Sequence, residues 1–320
     1  MAELHERLRG KLDDRELEQM SVGDLGSAYR SLGRVGEAIR CYEQALAIAR
    51  EIGKRSGEGT WLGNLANCYL DLGQTQRAIE FYEQSLTIAR EIGYRSTEGR
   101  QLGNLANSYS QLGQTRRAIE LYEQALDIAR EIGDRSSEGI FLCNLANCYV
   151  DLGQTQRAIE LYKQALAIVR EIGNRSSEGY CLHNLSDAFT DKGQHSRAVE
   201  YASAAVTISA ELSQPRLGSY SGGSLARAHV LAGELAKART AVEAARLCDA
   251  PENNFYVCAL GGVIALRQGD RPAAEQMLAA AMKEPAACSR QTRTTTKRST
   301  ARRWPFAAWR CAEEPGGPRT

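Results

Sequence analysis

The feature that most constrains this chain is a self-similarity with a fixed step of forty residues. The stretch 61–99 recurs at 101–139 and again at 141–179 without insertion or deletion. One glycine marks each unit, at Gly33, Gly73, Gly113, Gly153, Gly193 and Gly233. One alanine does the same, at Ala38, Ala78, Ala118, Ala158, Ala198 and Ala238. A period of this size predicts an array of repeats, each of which packs only against its neighbours.

Each unit predicts two helices. The first apolar stripe has helical spacing and consists of Leu62, Leu65, Ala66, Tyr69 and Leu72. The second consists of Ala78, Ile79, Tyr82, Leu86, Ala89 and Ile92. Gly73 and Gly93 follow the two stripes, where a helix end favours a residue with positive φ, and Thr75 is the expected N-cap of the second helix. Residues 95–99 are expected to link one unit to the next.

The array has ragged ends. Residues 1–20 predict an N-terminal half-repeat or cap, because Arg15 and Glu18 align with Arg55 and Glu58. The array itself is expected over 21–284. From residue 199 onward the repeat decays, with a sixth unit at 221–249 and a seventh, out of step by four, at 254–284. The fold class that follows is all-α, a solenoid of about six to seven helix pairs.

The C-terminal segment 285–320 differs from the array in charge. It carries eight basic and two acidic side chains, although the whole chain has a net charge of only +1. A disordered, solvated tail is the favoured interpretation. Contact with nucleic acid or an anionic surface is an alternative, through basic residues with interleaved aromatics. Out-of-frame translation is a third. The basic and aromatic residues that would make the contact with nucleic acid or an anionic surface are Arg293, Lys297, Arg298, Arg302, Arg303, Trp304, Phe306 and Trp309.

The cysteines and the N-terminus predict a cytoplasmic protein. Nine cysteines occur, an odd number without a CxxC pair, and Cys68 and Cys148 occupy a position where sister repeats have Ser108 or Ala188. Free thiols that replace small residues suit a reducing compartment. No hydrophobic run opens the chain, so neither a signal peptide nor a membrane span is expected.

Catalytic chemistry is not expected in this sequence. The four histidines, His5, His183, His195 and His229, form neither HExxH nor a Cys/His metal pattern, and no phosphate-binding loop occurs. Recurring charges such as Arg77, Arg90 and Glu91, with Glu80 and Glu83, are interpreted as solvated helix surface. We therefore predict no enzyme activity, no cofactor, no metal and no small-molecule substrate.

The residues Leu62, Leu65, Ala66, Tyr69, Ala78, Tyr82 and Ser85 have the spacing of the tetratricopeptide repeat signature, which the chain resembles over roughly 14–284. The forty-residue unit, longer than the usual ~34, looks like the subclass of kinesin light chains and Pins-type scaffolds and predicts a longer second helix and loop. Similar arrays form sensor arms of STAND-class ATPases. HEAT repeats share the period but not the Gly73, Ala78 and Tyr82 pattern.

The resemblance implies an α-solenoid in the form of a right-handed superhelix, in which first helices line a concave groove that holds a peptide or partner helix. It places peptide-holding amides at Asn64, Asn67, Asn104, Asn107, Asn144, Asn147 and Asn184. A variable position one turn earlier holds Thr60, Arg100, Ile140 and Tyr180, and the next position, Trp61, Gln101, Phe141 and Cys181, varies too. Arg100 would attract an acidic residue, whereas Ile140 and Tyr180 would contact side chains. The alternative is that the amides bond only between helices.

Two functions remain open at this point. The first is a non-enzymatic scaffold for a protein or peptide partner. The second is a sensor or regulatory arm of a larger STAND-type ATPase or transcriptional regulator. A clamp for C-terminal carboxylates is disfavoured, because the positions that would need Lys or Arg hold Gly63, Gly103, Cys143 and His183.

Overall fold

The computed structural model describes residues 14–283, which form fourteen helices in seven antiparallel pairs. The first helices of the pairs are α1 (Asp14–Ser31), α3 (Arg55–Asp71), α5 (Arg95–Gln111), α7 (Arg135–Asp151), α9 (Arg175–Asp191), α11 (Pro215–Leu231) and α13 (Pro251–Arg267). The second helices are α2 (Val35–Glu51), α4 (Thr75–Glu91), α6 (Thr115–Glu131), α8 (Thr155–Glu171), α10 (His195–Glu211), α12 (Leu235–Arg246) and α14 (Arg271–Lys283). The all-α solenoid expected from the repeat is confirmed.

The forty-residue period consists of two equal helices and two equal turns. Each helix from α3 to α10 has 17 residues, and three residues separate it from the next. The predicted longer loop is therefore wrong, and the second helix is no longer than the first. Residues 95–99 are not a linker either, since they form the first turn of α5. The extra length of the unit goes into both helices.

The turns depend on glycine. Gly73 has φ 74° and Gly93 has φ 68°, as the sequence predicts for residues that follow a helix end. The prediction that Thr75 is the N-cap of α4 is wrong. Gln74 is the N-cap residue and makes no side-chain cap bond, and Thr75 is the first helical residue and is buried. Leu72 is the C-cap of α3 and is 48% exposed, so it does not continue the apolar stripe.

The core lies between the two helices of each pair and between neighbouring pairs. Ala66 and Ala78 are fully buried, which lets α3 and α4 approach closely. The tyrosines Tyr69, Tyr109 and Tyr149 are 5 to 6% exposed, so the prediction that they are buried at packing seams is confirmed. Arginine lies over each of these rings; Arg77, for example, is 4.2 Å from the ring centre of Tyr69. Arg77 is exposed, as expected for a surface charge, and it also covers the ring through a cation–π contact.

Neighbouring first helices meet at a pair of size-matched positions. Phe141 of α7 is buried against Gly103 of α5, where an added Cβ would overlap the ring. Gln101 meets Gly63 in the same way, with Nε2 2.6 Å from where that Cβ would lie. Trp61 overlies Gly23. The variable position at Trp61, Gln101 and Phe141 is thus buried, and at these three junctions a glycine on the preceding helix makes room for its side chain.

A repeated ionic network joins each of the first four pairs to the next. Glu98 of α5 accepts hydrogen bonds from Arg90 Nε of α4 at 2.9 Å and from Arg95 Nη1 at 2.6 Å. Arg95 also reaches Glu131 at the end of α6, with Nε 3.2 Å from Oε1. The same arrangement surrounds Glu58, Glu138 and Glu178. Arg90 and Glu91 lie on the helix surface as expected, about half exposed, and in addition they connect neighbouring helices, since Glu91 pairs with Arg55.

The last two pairs follow the decay seen in the sequence. Helix α12 has 12 residues, and α13 begins 36 residues after α11, which confirms the four-residue change in step. Pro272 is the second residue of α14, where its missing N–H costs no helical bond. At the other end, α1 continues across the predicted cap boundary at residue 20. The predicted tail, 285–320, lies outside the described residues.

Candidate binding face on the first helices

Four asparagines recur on one face of successive first helices. Asn64, Asn104, Asn144 and Asn184, defined here as the amide face, are each half-buried on α3, α5, α7 and α9. Two of them make long contacts within the protein: Asn104 Nδ2 lies 3.4 Å from Gln101 Oε1, and Asn144 Nδ2 lies 3.5 Å from Asn107 Oδ1, beside the hydroxyl of Tyr122. Bonds at these distances are weak, so Asn104 and Asn144 retain capacity for another partner.

The second set of asparagines has a structural role within each pair. Asn67 Oδ1 accepts a hydrogen bond of 2.6 Å from the hydroxyl of Tyr82, and Asn147 Oδ1 accepts one of 2.5 Å from Tyr162. Asn107 accepts the equivalent bond from Tyr122. The tyrosine side chains are at most 2% exposed, so each hydroxyl requires a partner inside the protein. For these three amides the structure thus shows the helix-to-helix bond that the sequence left as the alternative.

Loss of the tyrosine coincides with loss of the amide. In the fifth pair the tyrosine position is Ala202, and the amide position is Asp187. Asp187 instead accepts a hydrogen bond of 2.8 Å from Ser224 of α11. In the first pair, Ser27 lies 3.0 Å from the hydroxyl of Tyr42. The constant fifteen-residue spacing between amide and tyrosine was a signal of this pairing that sequence reasoning missed.

The position one turn before the amide face is open to solvent. Arg100 is exposed, Ile140 is 46% exposed and Tyr180 is 39% exposed. Thr60 is half-buried and donates its hydroxyl to the Ser56 carbonyl at 2.9 Å. The structure thus places a cation, an aliphatic side chain and an aromatic ring on three consecutive first helices, each beside an amide.

Other kinds of site have little support within residues 14–283. No group of three or more His, Cys, Asp or Glu side chains is placed to hold a metal ion there. None of the described helices combines the length and the apolar character needed to cross a bilayer. A surface depression of about 500 Å³ lies where α7 turns into α8, and its lining includes Gln154, Arg157 and Lys192. It is not part of the amide face.

Family models for the tetratricopeptide repeat match residues 16–91, 101–136 and 137–211, together more than half of the chain. The chain belongs to the tetratricopeptide repeat family. It is a repeat scaffold of the kind that mediates protein interactions. Its repeats are similar to those of kinesin-light-chain-like proteins, which are among the solved structures that match it. A comparison with curated protein sequences gives no match.

Several solved structures share this fold. A putative kinesin light chain from Podospora anserina with nearly identical TPR-like repeats is 26% identical; the match covers 63% of this chain and 99% of that chain, with a TM-score of 0.53. BtubC from P. vanneervenii is 22% identical over 67% of this chain and 92% of that chain, with a TM-score of 0.59. A STAND protein with a tetratricopeptide repeat sensor from Pyrococcus horikoshii is 17% identical, with a TM-score of 0.71; 85% of this chain and 42% of that chain are covered.

Proposed function

We propose that this tetratricopeptide repeat protein is a non-enzymatic scaffold that holds a segment of a protein partner along its first helices. The observation that carries the proposal is the amide face, where four half-buried asparagines recur at the same position of consecutive first helices. An amide offers both a donor and an acceptor, so a row of them can bond to the backbone of an extended peptide regardless of its side chains.

The flanking positions supply selectivity in this proposal. Arg100 favours an acidic residue of the partner, and Ile140 and Tyr180 favour apolar or aromatic contacts further along the array. Asn67, Asn107 and Asn147 line the same helices, but their Oδ1 atoms are engaged by tyrosine hydroxyls. We therefore assign them the role of holding the first helix in place, and assign partner contact to Asn64, Asn104, Asn144 and Asn184.

The experiment begins with a pull-down by the full chain and mass spectrometry, followed by affinity measurements on the partner so identified. Replacing Asn104 and Asn144 together by Ala should weaken binding by several kcal/mol at most, at ~1 kcal/mol or more for each lost hydrogen bond. Because their bonds within the protein are long, the melting temperature should stay nearly unchanged.

The matched control is Asn107→Ala, on the same helix as Asn104. This variant removes the acceptor for the Tyr122 hydroxyl and should lower the melting temperature. A double Asn104/Asn144 variant that melts earlier and binds with native affinity contradicts the proposed amide face.

A second candidate function is a sensor arm of a STAND-type ATPase or transcriptional regulator. Its support is the similarity in fold to the repeat sensor of the Pyrococcus horikoshii STAND protein, of which the chain matches 42%. A nucleotide-binding domain encoded in the same reading frame would favour this function, and an unrelated neighbouring frame would oppose it. In both functions we place the protein in the cytoplasm, since the buried free thiols of Cys68 and Cys148 suit a reducing compartment.

A further inference from the structure

Two cysteines from neighbouring helix pairs contact each other where the first helices of these pairs pack together. Cys143 of α7 and Cys181 of α9 have their Sγ atoms 2.6 Å apart. They occupy the two size-matched positions of this junction, where the preceding junction has Gly103 and Phe141. A glycine and a large knob are thus replaced by two side chains of intermediate size. The exchange fills the junction and brings two thiols into contact.

The geometry is close to that of a covalent link. A disulfide bond is ~2.05 Å long, so the two sulfur atoms need to approach by only about 0.6 Å more. Both cysteines are free thiols in the structure, Cys143 half-buried and Cys181 1% exposed. Both lie in the middle of 17-residue helices whose positions are fixed by the packing of the array. The contact is therefore not produced by a loop that can move away.

We propose that Cys143 and Cys181 are an oxidation site at which hydrogen peroxide forms a disulfide between α7 and α9. In the first step the Cys143 thiol ionises and its thiolate attacks one peroxide oxygen, the O–O bond breaks, and the departing hydroxide takes up the released proton, which leaves a sulfenic acid and water. In the second step the Cys181 sulfur attacks the sulfenic sulfur, the S–O bond breaks, and a second water leaves. Two thiols and one peroxide thus give one disulfide and two waters.

Of the two residues Cys143 is the more exposed, so we assign it as the sulfur that peroxide attacks and Cys181 as the resolving thiol. A hydrogen bond with Cys181, together with burial, raises the pKa of Cys143 well above its usual range. The thiolate is therefore scarce at neutral pH, and the uncatalysed reaction is slow. Formation of the Cys143–Cys181 disulfide therefore requires sustained exposure to peroxide and does not follow brief pulses.

The link has a mechanical consequence for the array. It closes the chain between residues 143 and 181, which spans α8 and both of its turns, and it ties two first helices directly together. Closure of a span of this length stabilises chiefly by restricting the unfolded chain. Asn144 and Tyr180 are direct sequence neighbours of the two cysteines, so the spacing of the amide face becomes fixed at this junction.

The test uses the full chain, treated with excess hydrogen peroxide at pH 8.5 under native conditions and then blocked with iodoacetamide. The expected result is an intact mass 2 Da lower before blocking. Trypsin should then release a linked pair of peptides, residues 136–157 and 176–192, that dithiothreitol separates. Hydrogen exchange within α7, α8 and α9 should slow by on the order of 100-fold in the linked form.

Two variants distinguish the pair from its surroundings. Cys148→Ser lies in the same tryptic peptide and copies Ser108 of the sister repeat, so it should retain the link. Cys143→Gly copies Gly63 and Gly103, and it should abolish the link while the protein stays folded by circular dichroism. Oxygen addition at Cys143 without a linked peptide, or a link that survives in Cys143→Gly, overturns the proposal.

Discussion

The substitution Glu98→Gln tests whether the repeated ionic network holds neighbouring pairs together. Glu98 has a side chain 9% exposed, and it accepts hydrogen bonds from Arg90 of α4 and Arg95 of α5. Glutamine preserves the volume but removes the charge, and its single carbonyl oxygen cannot serve both guanidinium groups in the same way. The junction between the second and third pairs should therefore weaken.

The magnitude follows from the exposure of the partners. A hydrogen bond to a charged group contributes about 1.5–3 kcal/mol, and removal of one member of a fully buried ion pair costs more. The Arg90 and Arg95 side chains are 51% and 40% exposed, so water replaces much of the lost interaction. We expect the free energy of unfolding at pH 7 to fall by about 1–2 kcal/mol, measured by urea denaturation with circular dichroism.

The dependence on pH gives the same test a second readout. Burial raises the pKa of Glu98, but hydrogen bonds from Arg90 and Arg95 outweigh it and leave the pKa below the ordinary 4.5. The carboxylate therefore contributes stability above its unfolded-state pKa, and this contribution is lost as the pH falls through the folded-state pKa. The difference between Glu98→Gln and the native chain should be full at pH 7 and should shrink below about pH 4.5.

The control is Glu120→Gln on α6, where the carboxylate is exposed and has no ion pair among the described residues. This change should alter the free energy of unfolding by less than about 0.5 kcal/mol. Equal effects of the two substitutions at pH 7, or a Glu98→Gln difference that persists unchanged to pH 3, would refute the reasoning.

Three further outcomes are expected. Asn107→Ala should lower the free energy of unfolding by about 1–3 kcal/mol in urea denaturation, because the buried Tyr122 hydroxyl loses its acceptor. Gly103→Ala should cost about 1–3 kcal/mol through overlap with Phe141, and the added change Phe141→Cys should recover part of this in a double-mutant cycle. In hydrogen exchange, α12 to α14 should open before α3 to α9, and uniform protection would contradict this order.

The repeated positions explain why much of the fold was predictable from the sequence. A residue that must be glycine for positive φ, such as Gly73, or alanine for close helix contact, such as Ala78, recurs in every unit of the regular array. Comparison of repeats therefore separates these requirements from chance. Tyr69 was assigned to the core on the same ground, and its burial is confirmed.

The start of the first helices was not predictable in this way. Residues 55–59 contain Gly57 and Gly59 and lack an apolar stripe, so local propensity favours a loop. In the structure a Cβ on Gly59 would lie 3.2 Å from Ile88 Cγ2, and Glu58 is held by two arginines. The close approach of α4, which is distant in sequence, and the ionic contacts with the preceding helix, which hydrophobic periodicity does not report, stabilise this segment as helix.

The two sets of asparagines illustrate the same limit. Asn64 and Asn67 are both polar residues on a first helix, and the sequence pattern assigns both to the groove. Only the structure shows that Asn67 accepts a hydrogen bond from the hydroxyl of Tyr82, whereas Asn64, equally half-buried and about one turn away, lies outside that pair. The partner of a side chain depends on the crossing of two helices, which periodicity alone does not specify.

The size-matched junctions have a consequence for how such an array changes in evolution. Duplication or loss of a whole forty-residue block preserves every glycine turn. Among the regular units the ionic network is preserved too, because the glutamate at the new junction is equivalent to Glu98 and meets equivalent arginines. The knobs are different, because Phe141 requires Gly103 on the preceding helix and Cys181 lies against Cys143. A block moved to another place would meet a partner of the wrong volume, producing a collision or a void. The units are thus alike in backbone but ordered, and their succession is encoded in the side chains where they touch.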